Sequence, residues 1–226
     1  MDSVQIPVAG ATLDGDVLNG DVEVPRQARG VVLFAHGSGS GRRSPRNRHV
    51  ARELQQAGLA TVLVDLLTRD EERSDARTGR FRFDIDLLAV RLSALTDWLA
   101  KYEPVADLGM GLFGASTGAA AALVAAAGRP AAVRAVVSRG GRPDLAGKYL
   151  RSVHQPTLLI VGERDEVVMQ LNRAAMRQLG GEASLATVPG ATHLFEEPGA
   201  LDQVARLAGD WFARALPAAG TAAEHG

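Results

Sequence analysis

Residues 108–118, Leu-Gly-Met-Gly-Leu-Phe-Gly-Ala-Ser-Thr-Gly, decide the fold of this chain. Their apolar first half has strand character, and an alanine-rich stretch of helix-forming residues follows at 119–127. Between the two, Gly-x-Ser-x-Gly places Ser116 at the apex of a tight turn, where neighbours without Cβ atoms let strand and helix approach closely. We predict a strand–turn–helix unit that presents Ser116 as a nucleophile and leaves the N–H of Thr117 free at a helix N-terminus.

Strand-like and helix-like segments alternate along the rest of the chain. Predicted strands occupy 30–35, 59–67, 131–138, 156–162 and, as a short strand, 184–188, and predicted helices occupy 48–58, 85–99, 168–179 and a last segment from about 198. Alternating residues at 3–8 and 21–25 predict an antiparallel hairpin at one edge. The pattern predicts an α/β fold, with a mostly parallel sheet covered by helices on both faces, in one domain over 1–216 followed by a flexible tail at 217–226.

The segment 68–83 carries many charges of both signs and has no apolar periodicity. We interpret it as a surface loop. Long loops in compact domains often serve as lids or binding loops, and a solvated connection between two elements is the other interpretation. Both interpretations are open from the sequence.

Composition excludes several classes of protein. The 226 residues carry a formal net charge of −1, which gives no reason to expect nucleic acid or an anionic membrane as partner. The absence of cysteine excludes disulfides, thiolate metal sites and a cysteine nucleophile. No apolar run approaches the roughly 20 residues that span a bilayer, and the N-terminal residues do not resemble a signal peptide. We therefore expect a cytoplasmic protein.

A serine nucleophile needs a base, and the base needs an acid that fixes its tautomer. In the order Ser…Asp/Glu…His, His193 on the loop after the last predicted strand is the candidate base. The other histidines precede the serine or the acid or lie in the tail: His36, His49, His154 and His225. Asp165, just past the strand at 156–162, is the candidate acid. Its competitors are Glu163 and Glu166, its neighbours, and Asp144, which has the position of a helix N-cap.

No group of histidine and carboxylate residues has the spacing of a metal site. We therefore expect no metal and no cofactor.

Four pieces of the chain resemble the α/β-hydrolase superfamily, and the resemblance covers nearly all of it. The pieces are His-Gly-Ser-Gly at 36–39, Gly-Ala-Ser-Thr-Gly at 114–118, Gly-x-x-Asp-x-x-Val at 162–168 and Gly-x-x-His at 190–193. The size and the lack of a large cap domain are similar to the dienelactone hydrolase-like branch, whose nucleophile is a cysteine where this chain has Ser116. The resemblance implies Ser116 as nucleophile, His193 as base and Asp165 as orienting acid. It also implies an oxyanion hole formed by the N–H groups of Thr117 and Ser38.

The expected activity is hydrolysis of a small carboxylic ester, lactone or thioester through an acyl-enzyme. An acyltransferase that uses the same intermediate and a non-catalytic binding protein of this fold are the alternatives. Oligomeric state is open.

An anionic group on the small-molecule substrate is a further expectation. Arg139 directly follows a predicted strand and is expected at the rim of the site, where its guanidinium would bind that group. Four arginines near the 36–41 loop are expected to be solvated or paired with acids: Arg42, Arg43, Arg46 and Arg48.

Overall fold

In the computed structural model, residues 2–7 and 17–216 are described, and their eight strands form one sheet. The strands are β1 (Asp2–Pro7), β2 (Val17–Glu23), β3 (Gly30–Ala35), β4 (Ala60–Val64), β5 (Gly109–Ala115), β6 (Val133–Arg139), β7 (Thr157–Gly162) and β8 (Ala183–Val188). The helices are α1 (Pro45–Gln56), α2 (Arg69–Thr78), α3 (Ile85–Leu99), α4 (Thr117–Gly128), α5 (Glu166–Met176) and α6 (Ala200–Ala215). A kinked 3₁₀ segment, Pro143–Ser152, follows β6.

The sheet is mostly parallel and has the order β1-β2-β4-β3-β5-β6-β7-β8. Strands β3 to β8 pair in parallel, and β1 and β2 join antiparallel at one edge. The predicted edge hairpin is thus confirmed, while its turn residues, 8–16, lie outside the described residues. The predicted tail at 217–226 also lies outside them.

Helices cover both faces of the sheet. On one face α3 and α4 pack on residues such as Leu33 and Leu112, and on the other face α1 and α6 pack on Phe34 and Phe113. Strand residues that are apolar on both sides are what a doubly covered parallel sheet requires. The predicted fold class is confirmed, and no large cap domain interrupts the described residues. In residues 2–7 and 17–216, no helix has both the length and the apolar character needed to cross a membrane.

The prediction of a loop at 68–83 is wrong, because most of this segment forms α2. The helix begins with a capping box: Thr68 Oγ1 accepts a hydrogen bond from the Glu71 N–H at 3.3 Å, and Glu71 Oε2 accepts one from the Thr68 N–H at 2.8 Å. It ends at Gly79, whose φ of 65° is the left-handed conformation common at helix C-termini. The Thr-x-x-Glu pattern was the available sequence signal.

Helix α2 lacks an apolar stripe because its buried residues are charged. Glu71 and Asp75, four residues apart, both face inward. Glu71 accepts hydrogen bonds from both terminal nitrogens of Arg91 on α3 at 2.5 and 2.7 Å, and Arg91 Nη1 also donates to the Leu66 carbonyl at 2.6 Å. Asp75 holds the Arg82 Nε at 2.5 Å. Ion pairs thus replace apolar contacts under this helix.

The buried Glu71–Arg91 pair gives a prediction about stability. Arg91→Leu would leave the Glu71 carboxylate buried without its counter-ion, and the free energy of unfolding should fall by about 3–5 kcal/mol in urea denaturation. The double variant Glu71→Leu/Arg91→Leu should recover much of that loss, because two apolar residues leave no uncompensated charge.

Arg73→Leu is the matched control, because Arg73 lies on the same helix but pairs with Asp70 at the exposed surface. It should change the free energy of unfolding by less than about 1 kcal/mol. An Arg91→Leu loss as small as this would contradict the structural role of the pair.

Candidate active site

Ser116 stands between β5 and α4 in a strained backbone conformation. Its φ is 51° and its ψ is −123°, a region that side-chain-bearing residues rarely adopt. A Cβ at Gly114 would overlap the backbone of Ala119, and a Cβ at Gly118 would overlap the carbonyl oxygen of Ala35. The two glycines of the motif are therefore needed so that α4 can begin directly against the sheet. The predicted strand–turn–helix unit is present.

Neighbouring loops enclose Ser116 on two sides. Gly37 lies so close that a Cβ there would come within 2.9 Å of the Ser116 Cβ. On the other side the Ser116 N–H donates to the Arg139 carbonyl at 3.4 Å, and the Arg142 N–H donates to the Ser116 carbonyl at 3.0 Å. The carboxyl ends of β3, β5 and β6 thus meet around this serine.

His193 and Asp165 are in direct contact. Nδ1 of His193 lies 2.6 Å from Oδ2 of Asp165. Asp165 occupies the N-cap position of α5, yet its side chain makes no capping hydrogen bond, so the carboxylate is committed to the histidine. With the Nδ1 proton directed at this carboxylate, Nε2 carries the lone pair of a neutral imidazole.

Gly140 lies against His193 and directly follows the residue that accepts the Ser116 N–H. A Cβ at Gly140 would lie 3.6 Å from the His193 Cε1, and the preceding residue, Arg139, accepts the Ser116 N–H. No hydrogen bond joins Ser116 Oγ to His193 among the described residues. Such bonds are often long without substrate and tighten when it binds.

The two predicted oxyanion donors lie side by side. The Ser38 N–H donates to Thr117 Oγ1 at 3.0 Å, so it has a side-chain partner in this structure. Thr117 is the first residue of α4, where a backbone N–H has no intrahelical acceptor. Both N–H groups are therefore adjacent to Ser116, and the hydroxyl of Thr117 lies between their two loops.

Arg139 is at the end of β6 as expected, but its side chain is buried and does not lie at the rim. Only 8% of the residue is exposed, because alternation from Val137 turns Arg139 toward α1 and α6. Burial, together with the charge of Arg46, lowers the pKa of its guanidinium to about 10.

Most of the other arginines near this edge have acidic partners. They pair as Arg42 with Asp65 and Asp21, Arg46 with Glu196, Arg48 with Asp21, and Arg142 with Asp144. Asp144, expected as a helix N-cap, is thus the partner of Arg142.

A cavity of about 310 Å³ adjoins the 36–41 loop, which carries Ser38. Its lining also includes Glu72, Asp75 and Arg82, so the segment expected to be a loop contributes part of the wall of this cavity. Burial and the nearby Asp65 raise the pKa of Glu72. Within the described ranges, no group of three or more histidine or carboxylate side chains could hold a metal ion.

The strained serine beside a histidine–aspartate pair agrees with the family match. The model of the "Alpha/beta hydrolase domain" family matches residues 28–206. The chain belongs to the α/β-hydrolase family.

The known proteins that resemble this chain carry different names. The crystal structure of a dienelactone hydrolase from Anabaena variabilis is 55% identical, with a TM-score of 0.91 over 95% of this chain and 97% of that one. Est1E from Butyrivibrio proteoclasticus shares the fold at 16% identity, with a TM-score of 0.77 over 94% and 98% of the two chains. The 55% identical structure supports a hydrolase without specifying the bond that is cleaved, and the 16% identical structure supports the fold alone.

A curated relative from Mycobacterium tuberculosis is named "Putative phosphoribosyl transferase". It is 61% identical over 193 residues, which are 85% of this chain and 43% of the relative. The chain therefore spans less than half the length of the curated relatives it matches.

Sequence reasoning missed the environment of His36. This residue was set aside because it precedes the serine, yet it is buried beside the turn, and its Nδ1 lies 2.7 Å from the side-chain nitrogen of Asn47 on α1. The polar pair His36 and Asn47, eleven residues apart, carries no motif that would have indicated it.

The close approach at Gly118 gives a prediction. Gly118→Ala should lower the free energy of unfolding by at least about 1–3 kcal/mol, because its methyl group overlaps the backbone of the neighbouring strand. Gly128→Ala, at the other end of α4, has open space around its Cβ and should leave stability unchanged or raise it by up to about 1 kcal/mol. Equal effects of the two variants in chemical denaturation would contradict the close approach.

Proposed function

We propose that this protein is a serine hydrolase that cleaves a small carboxylic ester, lactone or thioester through an acyl-enzyme. One observation carries the proposal: the strained Ser116 at the strand end shares its edge of the sheet with a His193–Asp165 pair at 2.6 Å. This set of residues can activate a hydroxyl at neutral pH without a metal or a cofactor.

In the proposed mechanism, Ser116 Oγ attacks the acyl carbon while Nε2 of His193 takes the hydroxyl proton. The Asp165 carboxylate stabilises the resulting imidazolium through Nδ1. The tetrahedral intermediate collapses, the bond to the leaving oxygen or sulfur breaks, and His193 returns the proton to that atom. Water then attacks the acyl-enzyme with His193 as base, which releases the carboxylic acid and restores Ser116.

We assign the N–H groups of Thr117 and Ser38 to the oxyanion of the tetrahedral intermediate. The Ser38 N–H already donates to Thr117 Oγ1, so the oxyanion has to replace that hydroxyl as acceptor. An anionic acceptor forms the stronger hydrogen bond, whereas a neutral carbonyl competes with a hydroxyl on roughly equal terms. The exchange would thus favour the transition state over the bound substrate, which is the requirement for catalysis.

The phosphoribosyl transferase name of the mycobacterial relative does not guide this assignment. The family match to a hydrolase domain covers residues 28–206 of this chain, while the chain covers 43% of that relative. We therefore propose that hydrolysis, and not phosphoribosyl transfer, is the activity of this segment. A small molecule is the proposed partner, without nucleic acid or membrane.

Covalent labelling tests the nucleophile. A fluorophosphonate probe should modify Ser116 and no other serine, because only an activated serine attacks such a reagent at a useful rate. Ser116→Ala should abolish labelling, and Ser93→Ala on α3 should keep it. Mass-spectrometric assignment of the label to another serine would refute the role of Ser116. A panel of chromogenic esters, lactones and thioesters, run with the same variants, identifies the bond that is cleaved.

The kinetics of single and double variants test whether Ser116 and His193 act together. Ser116→Ala and His193→Ala should each lower kcat by about 10⁴- to 10⁶-fold, and the double variant should be hardly slower than either one, because the residues act together. Losses that multiply in the double variant would show that the two residues act independently.

Removal of metal ions with a chelator tests whether the reaction is independent of metals. Activation of Ser116 by His193 requires no metal, so dialysis against EDTA should leave the rate of ester hydrolysis unchanged. A loss of activity that a divalent ion restores would contradict the mechanism.

A further inference from the structure

Three side chains share one row at the edge of the sheet, directly before Ser116. Ala115 of β5 pairs with Arg139 of β6. Ala35 of β3 pairs with Gly114, so His36, the next residue, lies beside Ala115 in the same row. Alternation from Phe34, Phe113 and Val137 places His36, Ala115 and Arg139 on the face covered by α1 and α6. Between the imidazole and the guanidinium, the sheet itself contributes only the methyl group of Ala115.

The two polar members of this row present hydrogen-bond donors without acceptors. Arg139 is 8% exposed, and its Nη1 is buried with no hydrogen-bond partner. His36 is 5% exposed, and its Nδ1 lies 2.7 Å from the Asn47 amide nitrogen. An amide nitrogen is a donor, so Nδ1 accepts and Nε2 carries the proton. Nε2 is also buried and also lacks a partner.

Arg46, in the first turn of α1, is the third donor of this group. It directly precedes Asn47, whose side chain contacts His36 at 2.7 Å, and its charge contributes to lowering the pKa of Arg139. Nη1 of Arg46 donates to the exposed Glu196 at 3.1 Å, but its Nε is buried without a partner. The first turn of a helix adds a positive potential here.

No acid neutralises Arg139 in the part of the chain that the structure describes. Two carboxylates in this region already have cationic partners, since Asp65 pairs with Arg42 and Glu196 pairs with Arg46. Burial of an unpaired guanidinium is costly, and buried cations are therefore normally paired. The missing partner of the Arg139 guanidinium is an anion that the described residues do not supply.

We propose that Arg139, His36 and Arg46 form an anion-binding site beside the strand end that carries Ser116, and that it binds a carboxylate or phosphate group of the substrate. The planar fork of Arg139 can bind two oxygens of such a group, and the Nε2–H of His36 supplies a further donor. That the bound anion belongs to the substrate rests on the proposed hydrolase function; that the cluster binds an anion does not.

Binding is measured without turnover in the Ser116→Ala protein. Inorganic phosphate and acetate, each compared with sodium chloride at equal ionic strength, should raise the melting temperature along a saturating curve. Arg139→Met in the same background should lose this response. Arg134→Met is the matched control, because Arg134 is exposed on the same strand, and it should keep the response. Equal responses in the two variants, or none in the parent, would overturn the site.

A pair of esters distinguishes a substrate group from a free anion. Arg139→Met should lower kcat/KM for p-nitrophenyl succinate by about 10- to 100-fold, the effect of one charge-assisted contact, and leave that for the neutral p-nitrophenyl butyrate nearly unchanged. Arg139→Lys, which keeps the charge without the fork, should fall between. Equal losses of kcat/KM on both esters would overturn the assignment of the anion to the substrate. The same conclusion would follow if phosphate raised the melting temperature but Arg139→Met affected neither ester.

Competition in the unmodified protein covers the case in which the Arg139 variants do not fold. Phosphate should inhibit hydrolysis of the succinate ester competitively and leave hydrolysis of the butyrate ester unaffected, and equal inhibition of both would overturn the proposal. Failure of the hydrolase function has a separate signature, since it would appear as absent fluorophosphonate labelling at Ser116. The melting-temperature response does not depend on that labelling.

Discussion

The positive φ of Ser116 is the constraint on which the rest of the active site depends. A residue with a side chain in this conformation costs of order 1–3 kcal/mol, so the surrounding structure has to hold it there. Gly114 and Gly118 remove the atoms that would separate α4 from the sheet, and the buried, alanine-rich α4 packs against it. Ser116 is thus held by backbone packing and backbone hydrogen bonds, and no side chain among the described residues forms a hydrogen bond to it.

The parallel sheet then assembles the remaining groups at one edge. Strands β3, β5, β6 and β7 end side by side, so the loops that carry His36, Ser116, Arg139 and Asp165 emerge next to one another although they lie far apart in the chain. The small residues of these loops set how closely they approach. Gly37 abuts Ser116, Gly140 abuts His193, and Gly162 abuts the backbone of Ala191 just before that histidine. Order along the chain is therefore less informative here than position at a strand end.

The sequence could predict those features that depend on residues close together in the chain. The turn at Ser116, the strand ends at Asp165 and His193 and the alternation of strands and helices follow from spacing within a few residues. The helix at 69–78 was missed because its buried residues, Glu71 and Asp75, are charged, so hydrophobic periodicity could not reveal it. The direction of Arg139 was within reach, since alternation from the apolar Val137 places it on a buried face. The hydrogen bond from Ser38 to Thr117 depends on a side-chain rotamer, which sequence does not encode locally.

The two buried arginines, Arg91 and Arg139, show why a missing partner is informative in this protein. Arg91 is fully buried and has both a carboxylate, Glu71, and a backbone carbonyl to accept its hydrogen bonds. The chain thus supplies an acceptor where an arginine serves the structure alone. Arg139 is almost as deeply buried, adjoins the strand that leads to Ser116, and has no such acceptor among the described residues. A buried guanidinium without a partner destabilises the free protein, and a bound anion would remove that cost. An anion that binds Arg139 would therefore relieve a destabilisation already present in the free protein. A solvated arginine at the rim would instead have to lose its water, so the buried arginine can bind an anion more favourably.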